Sequence, residues 1–294
     1  MDEHDGQAVL EENAPFGNDR SGEKSREFDE TNGTVLMQET IGYPCVSVVI
    51  PALNEARNLP YVLPYIPDIV SEVILVDGHS TDDTIEVAQR LLPEIKVIKQ
   101  SGKGKGNALR CGLAASAGDI IIMMDADGST DPQEIQRFIE ALLAGADFAK
   151  GSRFIGDGGS ADITLVRKLG NRALSSLVNR LFRVHFTDLC YGYNAFWKGC
   201  FDFFEIDCDG FEVETLIHLR AYKSNLKIVE VPSYEYARIY GASNLRIFRD
   251  GWRVLMAIIK EWVNVPSAIK TIDMHHLHQP AKDISDGLII AEDI

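Results

Sequence analysis

From position 45 the chain alternates between short apolar runs and stretches where apolar residues return every three or four positions. Residues 46–50, 73–76, 95–98, 120–124 and 147–150 form the runs and are expected to be strands. Residues 58–66, 82–92, 107–115 and 132–144 carry the longer period and are expected to be helices, the first despite Pro60 and Pro64. Runs without polar alternation suit strands buried on both faces. Strands separated by helices imply right-handed βαβ units. The expected fold class is therefore α/β, with a mostly parallel, Rossmann-like sheet and helices on both faces.

After residue 150 the pattern changes. A flexible loop at 156–159 precedes a helix over 164–182, strands and turns over 188–198, a helix over 212–223 and a strand over 226–231. Residues 243–263 are amphipathic: Leu245, Phe248, Trp252, Leu255, Ile258, Ile259 and Trp262 recur at helical intervals, with Arg246, Arg249, Arg253 and Lys260 opposite. Two readings fit this segment. Residues 245–262 could make a peripheral membrane contact, or the apolar stripe could pack on the sheet.

The run at 120–124 ends in Asp125-Ala126-Asp127-Gly128. In open α/β sheets ligands sit at the carboxyl ends of strands. Two carboxylates there are the hard oxygen donors that Mg²⁺ or Mn²⁺ takes beside phosphate oxygens and water. A solvated acidic loop is the plainer alternative. Asn54 and Glu55 follow the first strand, and Asp77 follows the second. A carboxylate at Asp77 could accept from a nucleobase or ribose, whereas Thr81 and Asp82 are good helix caps. Lys105 sits in the glycine-rich stretch 101–106.

With 294 residues, one large α/β domain or two small ones is expected. The net charge of −15 lies mostly at the ends. Residues 1–44 hold eleven Asp or Glu against three Lys or Arg, and residues 273–294 hold five against one. Both ends are poor in aromatic residues and are expected to be disordered. Residues 45–272 form the expected domain; it is nearly neutral, and no nucleic-acid partner is expected. Cys45, Cys111, Cys190, Cys200 and Cys208 include no C-x-x-C pair, which suits reduced thiols in the cytoplasm. The acidic start lacks the apolar core of a secretory signal, and no window approaches ~18 consecutive apolar residues. The expected location is cytoplasmic, or peripheral on the cytoplasmic membrane face. His275, His276 and His278 are read as inert.

Six separated motifs occur in order: Pro51-x-x-Asn54-Glu55, Val76-Asp77-Gly78, Gly104-Lys105-Gly106, Asp125-Ala126-Asp127, Gly151-Ser152-Arg153 and Arg238-x-x-Gly241-x-Ser243. Together, over residues 45–262, they resemble the family 2 glycosyltransferases of the GT-A fold. Within that family the chain looks most like the synthases of polyprenyl- or dolichyl-phosphate sugars. The resemblance implies that Pro51, Asn54 and Glu55 line a nucleotide pocket and that Asp77 holds the base. It implies that Lys105 approaches the diphosphate and that Asp125 and Asp127 hold Mg²⁺ or Mn²⁺. Arg153 and Arg238 would serve catalysis, with Arg238 and Ser243 closing over the diphosphate. Arg167, Asn171, Arg238 and Ser243 would meet the acceptor or its phosphate. Asp188, Glu212 and Glu214 could lie near the sugar. The chain departs from the pattern at Ser129, where related synthases often carry Gln, and at Asn244, where many carry Lys.

The implied reaction is transfer of a hexose, with inversion, from a GDP- or UDP-linked donor to a polyprenyl or dolichyl phosphate. A phosphate monoester, with a second pKa of roughly 6, needs no general base near neutral pH. A sugar hydroxyl would need one, with Asp188 as first candidate and Glu214 as second. A same-fold enzyme acting on a soluble or glycan hydroxyl, a nucleotidyltransferase and a nucleotide-sugar-binding protein without turnover remain alternatives. A dinucleotide oxidoreductase is disfavoured, because no G-x-G-x-x-G follows the first strand.

Overall fold

The structure, a computed structural model, describes residues 43–243 and 245–264. The two acidic end segments (apart from Tyr43 and Pro44), the three histidines at 275, 276 and 278, the last residues of the expected domain and Asn244 lie outside the described residues.

The first half runs β1 (Val46–Ala52), β2 (Glu72–Asp77), α1 (Thr84–Leu91), β3 (Lys96–Lys99), α2 (Lys105–Ala115), β4 (Ile120–Met123), α3 (Ile135–Leu143) and β5 (Phe148–Ser152). The second half runs β6 (Gly159–Ser160), α4 (Leu165–Phe182), β7 (Asn194–Trp197), α5 (Phe201–Phe204), α6 (Val213–Lys223), β8 (Ile228–Pro232), β9 (Tyr234–Glu235) and α7 (Ile247–Val263). Seven strands form one sheet in the order β3-β2-β1-β4-β7-β5-β8, and β6 pairs with β9 apart from it. The β3–β2, β2–β1, β1–β4 and β5–β8 pairs are parallel. The sheet is thus mostly parallel, as expected, but β7 is antiparallel to both β4 and β5. The chain enters β7 from the carboxyl end of β4 and β5, out of the loop at 188–193 that follows α4.

Two-sided burial explains the unbroken apolar runs. Val46, Val48, Val49 and Ile50 of β1 and Ile120, Ile121 and Ile122 of β4 have no exposed surface. Helix α3 buries Ile135, Phe138, Ile139 and Leu142 on one stripe. A second apolar cluster, including Val178 of α4, Leu219 of α6 and Val254 and Ile258 of α7, joins these three helices. The chain passes from β1 to β2 on one side and returns through β4 on the other. The resulting switch point opens a crevice at the carboxyl ends of β1 and β4.

Several expected elements differ. Residues 58–66 form two 3-10 turns, Leu59–Tyr61 and Leu63–Tyr65, rather than one helix. Pro60 and Pro64 fit the start of each turn but supply no N–H to carry an α-helix through. Helix α2 begins inside the expected glycine-rich loop, because Gly104, at φ 86°, turns the chain into it. The helix expected from 132 opens with a 3-10 turn, Pro132–Glu134, whose cap Asp131 accepts from the Gln133 backbone N–H at 2.9 Å. The helix expected from 243 begins at Ile247. Its stripe is split: Val254 and Ile258 face inward, but Phe248 is 89% and Trp252 61% exposed. The reading in which the apolar stripe as a whole packs on the sheet is therefore corrected.

Candidate active site

A cavity of about 500 Å³ lies at the carboxyl ends of β1 and β4 and extends between α4 and α7. Pro51 and Glu55 line it from the end of β1, Lys105 from the start of α2, and Asp125 and Asp127 from the end of β4. Arg153 enters from beyond β5, Arg167 and Asn171 from α4, and Arg238 and Ser243 from the segment before α7. These ten residues, with Glu214, thus share one cavity, and Asn54, Asp77, Asp188 and Glu212 do not line it.

Its charged centre is a set of paired groups. Lys105 Nζ lies 2.6 Å from Asp125 Oδ1 and 2.7 Å from Glu214 Oε1. Arg238 lies 2.8 Å from Asp127 Oδ2 and 2.9 Å from Glu55 Oε1. Burial opposes the charge on Lys105, but Asp125 and Glu214 prevail and hold its pKa above the ordinary lysine value. Burial likewise opposes the charge on Arg238, and Asp127 and Glu55 prevail. For Glu214 burial is the larger influence and raises its pKa against the pull of Lys105. Glu55 is raised for the same reason, against Asn58 and Arg238. Local turns place these groups: Gly128, at φ 76°, bends the chain after β4, and Asp127 Oδ1 accepts from the Ser129 N–H at 2.9 Å.

Residues 238–240 are strapped to the loop after β1. Tyr240 N donates to Asn58 Oδ1 at 2.9 Å, and Asn58 Nδ2 donates back to the Tyr240 carbonyl at 3.2 Å. The Arg57 guanidinium lies 4.0 Å from the Tyr240 ring centroid, a cation–π contact. The strap brings Arg238 across the end of the Asp125–Asp127 turn.

Arg153 is held from beneath. Its Nε and Nη2 donate to Asp188 at 2.7 and 3.0 Å, and Nη1 donates to Glu235 at 2.9 Å. Asp188 is fully buried and outside the cavity lining. Burial would raise its pKa, but Arg153 outweighs that and holds it below the ordinary Asp value. Asn171 donates to Asp188 Oδ1 at 3.1 Å and accepts from the Leu189 and Cys190 N–H groups. Both oxygens of the first candidate base are thus engaged, and in this geometry Asp188 positions Arg153 instead of facing an acceptor.

Asn54 and Asp77 also lie outside the lining. Asn54 Oδ1 accepts from the Thr81 N–H at 2.7 Å, and Asp77, 1% exposed, accepts from His79 N at 3.1 Å and Ser80 N at 3.2 Å. Both shape the turn after β2, and His79 and Gln100 line that end of the cavity in their place. Asp82 accepts from Thr84 N at the entry to α1, as a capping residue would. Glu212 is not in the lining; its carboxylate accepts from Gly210 N at 3.3 Å. Sequence reasoning missed Glu235, whose only trace is a carboxylate three positions before Arg238. It also missed Asn58, which looked like a helix start.

Among the described residues no group of three His, Cys, Asp or Glu side chains gathers as a ready-made metal site. Asp125 and Asp127 nevertheless fit Mg²⁺ or Mn²⁺: they offer hard oxygens, and together with Glu55 and Glu214 they outnumber Lys105 and Arg238. The remaining positions would be filled by phosphate oxygens and water.

Comparison with known proteins agrees with the geometry. The chain is 31% identical over 222 residues to glycosyltransferase AglJ of Haloferax volcanii, covering 73% of this chain and 71% of that protein. It is 32% identical over 211 residues to a dolichol-phosphate mannosyltransferase of Pyrococcus furiosus, covering 68% of this chain but 59% of that longer protein. Among solved structures, glucosyl-3-phosphoglycerate synthase from Mycobacterium tuberculosis, in complex with Mn²⁺, UDP-glucose and phosphoglyceric acid, superposes with a TM-score of 0.60. The two are 25% identical, over 75% of this chain and 80% of that one. The fold is the GT-A fold of nucleotide-sugar transferases. Residues 47–203, more than half of the chain, match Glycosyl transferase family 2, and the chain belongs to that family.

Proposed function

We propose that this family 2 glycosyltransferase is an inverting, metal-dependent hexosyltransferase whose donor is a GDP- or UDP-linked sugar and whose acceptor is a polyprenyl or dolichyl phosphate. The observation that carries the acceptor is the two-ended cavity. One end holds the charged groups around Asp125 and Asp127. The stretch between α4 and α7 brings in Ile163, Val166, Leu174, Leu245 and Val254, with Asp162, Arg167 and Asp250 among them. A phosphate on a long hydrocarbon chain matches that division, because apolar surface leaves water along the tail. The likeness to a dolichol-phosphate mannosyltransferase supports the same acceptor.

An acceptor phosphate is already anionic near neutral pH, its second pKa being about 6. It needs alignment and charge neutralisation, which Arg167, Arg238 and Ser243 would supply from the cavity wall. Arg153, held by Asp188 and Glu235, would add fixed positive charge. The departing diphosphate would be met by Lys105 and Arg238, donors already oriented before the reaction. A metal bound by Asp125 and Asp127 would add Lewis-acid stabilisation of that leaving group. Pro51, Glu55 and the turn shaped by Asn54 and Asp77 would hold the nucleoside.

The outer faces of α4 and α7 support peripheral contact with an anionic bilayer at the cytoplasmic face. Leu165, Val166 and Leu169 are exposed on α4, and Phe248, Trp252 and Trp262 on α7. Arg249, Arg253 and Lys260 flank the α7 stripe. Among the described residues no helix is long and apolar enough to cross a membrane.

The deciding experiment offers UDP- and GDP-hexoses with Mn²⁺ to three acceptors: a polyprenyl phosphate, phosphoglyceric acid and a free sugar. Lipid-linked product is expected. Product on phosphoglyceric acid alone would favour a soluble phosphate acceptor. Product on the free sugar alone would require a base, for which Glu214 is the cavity-lining candidate. Binding without any product would favour a nucleotide-sugar-binding protein.

A further inference from the structure

Lys105 and Arg238 are each gripped by two carboxylates, and in each case the two differ in kind. One belongs to the Asp125–Asp127 pair; the other is a buried glutamate outside it, Glu214 for Lys105 and Glu55 for Arg238. Four carboxylates therefore share two cations, with two negative charges in excess.

A divalent ion would cancel that excess, and on Asp125 and Asp127 it would compete with each cation for one of its partners. A diphosphate arriving alone would meet the excess negative charge and find both cations engaged. Arriving together, each supplies what the other lacks. Asp125 and Asp127 would hold the ion, and the freed ammonium and guanidinium groups would meet the diphosphate oxygens. Glu214 and Glu55 keep those two groups tethered at the site throughout.

We propose that Lys105 and Arg238 are exchange cations: resident counter-ions of the Asp125–Asp127 pair that pass to the donor diphosphate when the metal binds. Metal and nucleoside diphosphate then bind with positive coupling, and Glu55 and Glu214 are positioning residues that act on the donor through the cations. The proposal rests on the metal and donor reading given above. The coupling is reciprocal, so each ligand tightens the other by the same factor.

The test is a Mn²⁺ titration of the full chain followed by electron paramagnetic resonance, alone and with UDP or GDP. Complexation of Mn²⁺ by the free nucleotide is subtracted from a protein-free titration. The wild type is expected to bind Mn²⁺ about tenfold tighter with its nucleoside diphosphate than without it, inside the usual ~5–150-fold range of coupling. Lys105→Met and Arg238→Met should each bind Mn²⁺ alone more tightly than the wild type and lose part of the coupling. The charge-conserving Lys105→Arg and Arg238→Lys should keep the wild-type pattern. If the wild type binds Mn²⁺ equally well with and without the diphosphate, or the methionine variants bind Mn²⁺ alone no more tightly, the exchange is overturned and the metal reading stands. If the wild type binds no Mn²⁺ under any of these conditions, both fall.

Discussion

Arg153 and Asp188 meet through two side-chain hydrogen bonds and a third from the Arg153 backbone N–H, with almost no exposure of either side chain. Removing one charge from such a pair leaves the other uncompensated, which costs about 3–5 kcal/mol. Asp188→Asn is expected to lose stability on that order in urea unfolding, with Glu235 retaining part of the hold on Arg153. Because Arg153 depresses the Asp188 pKa, the stabilising contribution is complete above the ordinary Asp value of about 3.9. It is lost as pH falls through the lower value of the folded state. Stability measured by circular dichroism against pH should therefore show an acid-sensitive component in the wild type that Asp188→Asn lacks. Asp127→Ala makes a different prediction: transfer and Mn²⁺-dependent nucleotide binding should both vanish. Full transfer by this variant, or by the wild type in excess chelator, would remove the metal from the reaction. The contrast between these aspartates also marks where sequence reasoning ran out. Asp125 and Asp127 follow a buried apolar run, so the run itself announces their place. Asp188 and Asp77 are harder to read, because partners distant in sequence or set by the local turn orient each carboxylate: Arg153 for Asp188, and the His79 and Ser80 N–H groups for Asp77. Arg153 is 35 positions from Asp188, and no periodicity encodes that meeting.

Elements were read best where burial was two-sided. The runs behind β1, β2 and β4 have no competing interpretation, and all three strands form near their expected positions. Residues 201–204 are too short to show a period, and their helix was missed. The split stripe of α7 has a different cause. Its apolar residues cover more than one face, and a period alone cannot say which neighbours exist to cover them. The three helices joined by the second cluster leave Phe248 and Trp252 outside. Phe248→Glu and Trp252→Glu should therefore change folding stability by no more than ~0.5 kcal/mol. Both should weaken co-sedimentation with anionic vesicles. Unchanged binding to anionic vesicles would exclude this helix as the contact.

For the molecule as a whole, the charged centre draws side chains from both halves of the chain, so ligands held there should resist unfolding of the entire domain. A ligand bound only by the folded state at a hundredfold excess over its Kd adds about 2.7 kcal/mol. Mn²⁺ with the correct sugar nucleotide should raise the melting temperature in a thermal-shift screen, and a panel of UDP- and GDP-sugars would rank the donors. No shift with any of them would argue against the donor reading. The direction of β7 has its own consequence, felt during synthesis. Its backbone fills the gap between β4 and β5, so a nascent chain halted before Asn194 leaves the facing edges of those two strands unsatisfied. The central ladder cannot close until β7 has been made, and a fragment ending between β5 and β7 should aggregate where the chain that includes β7 folds.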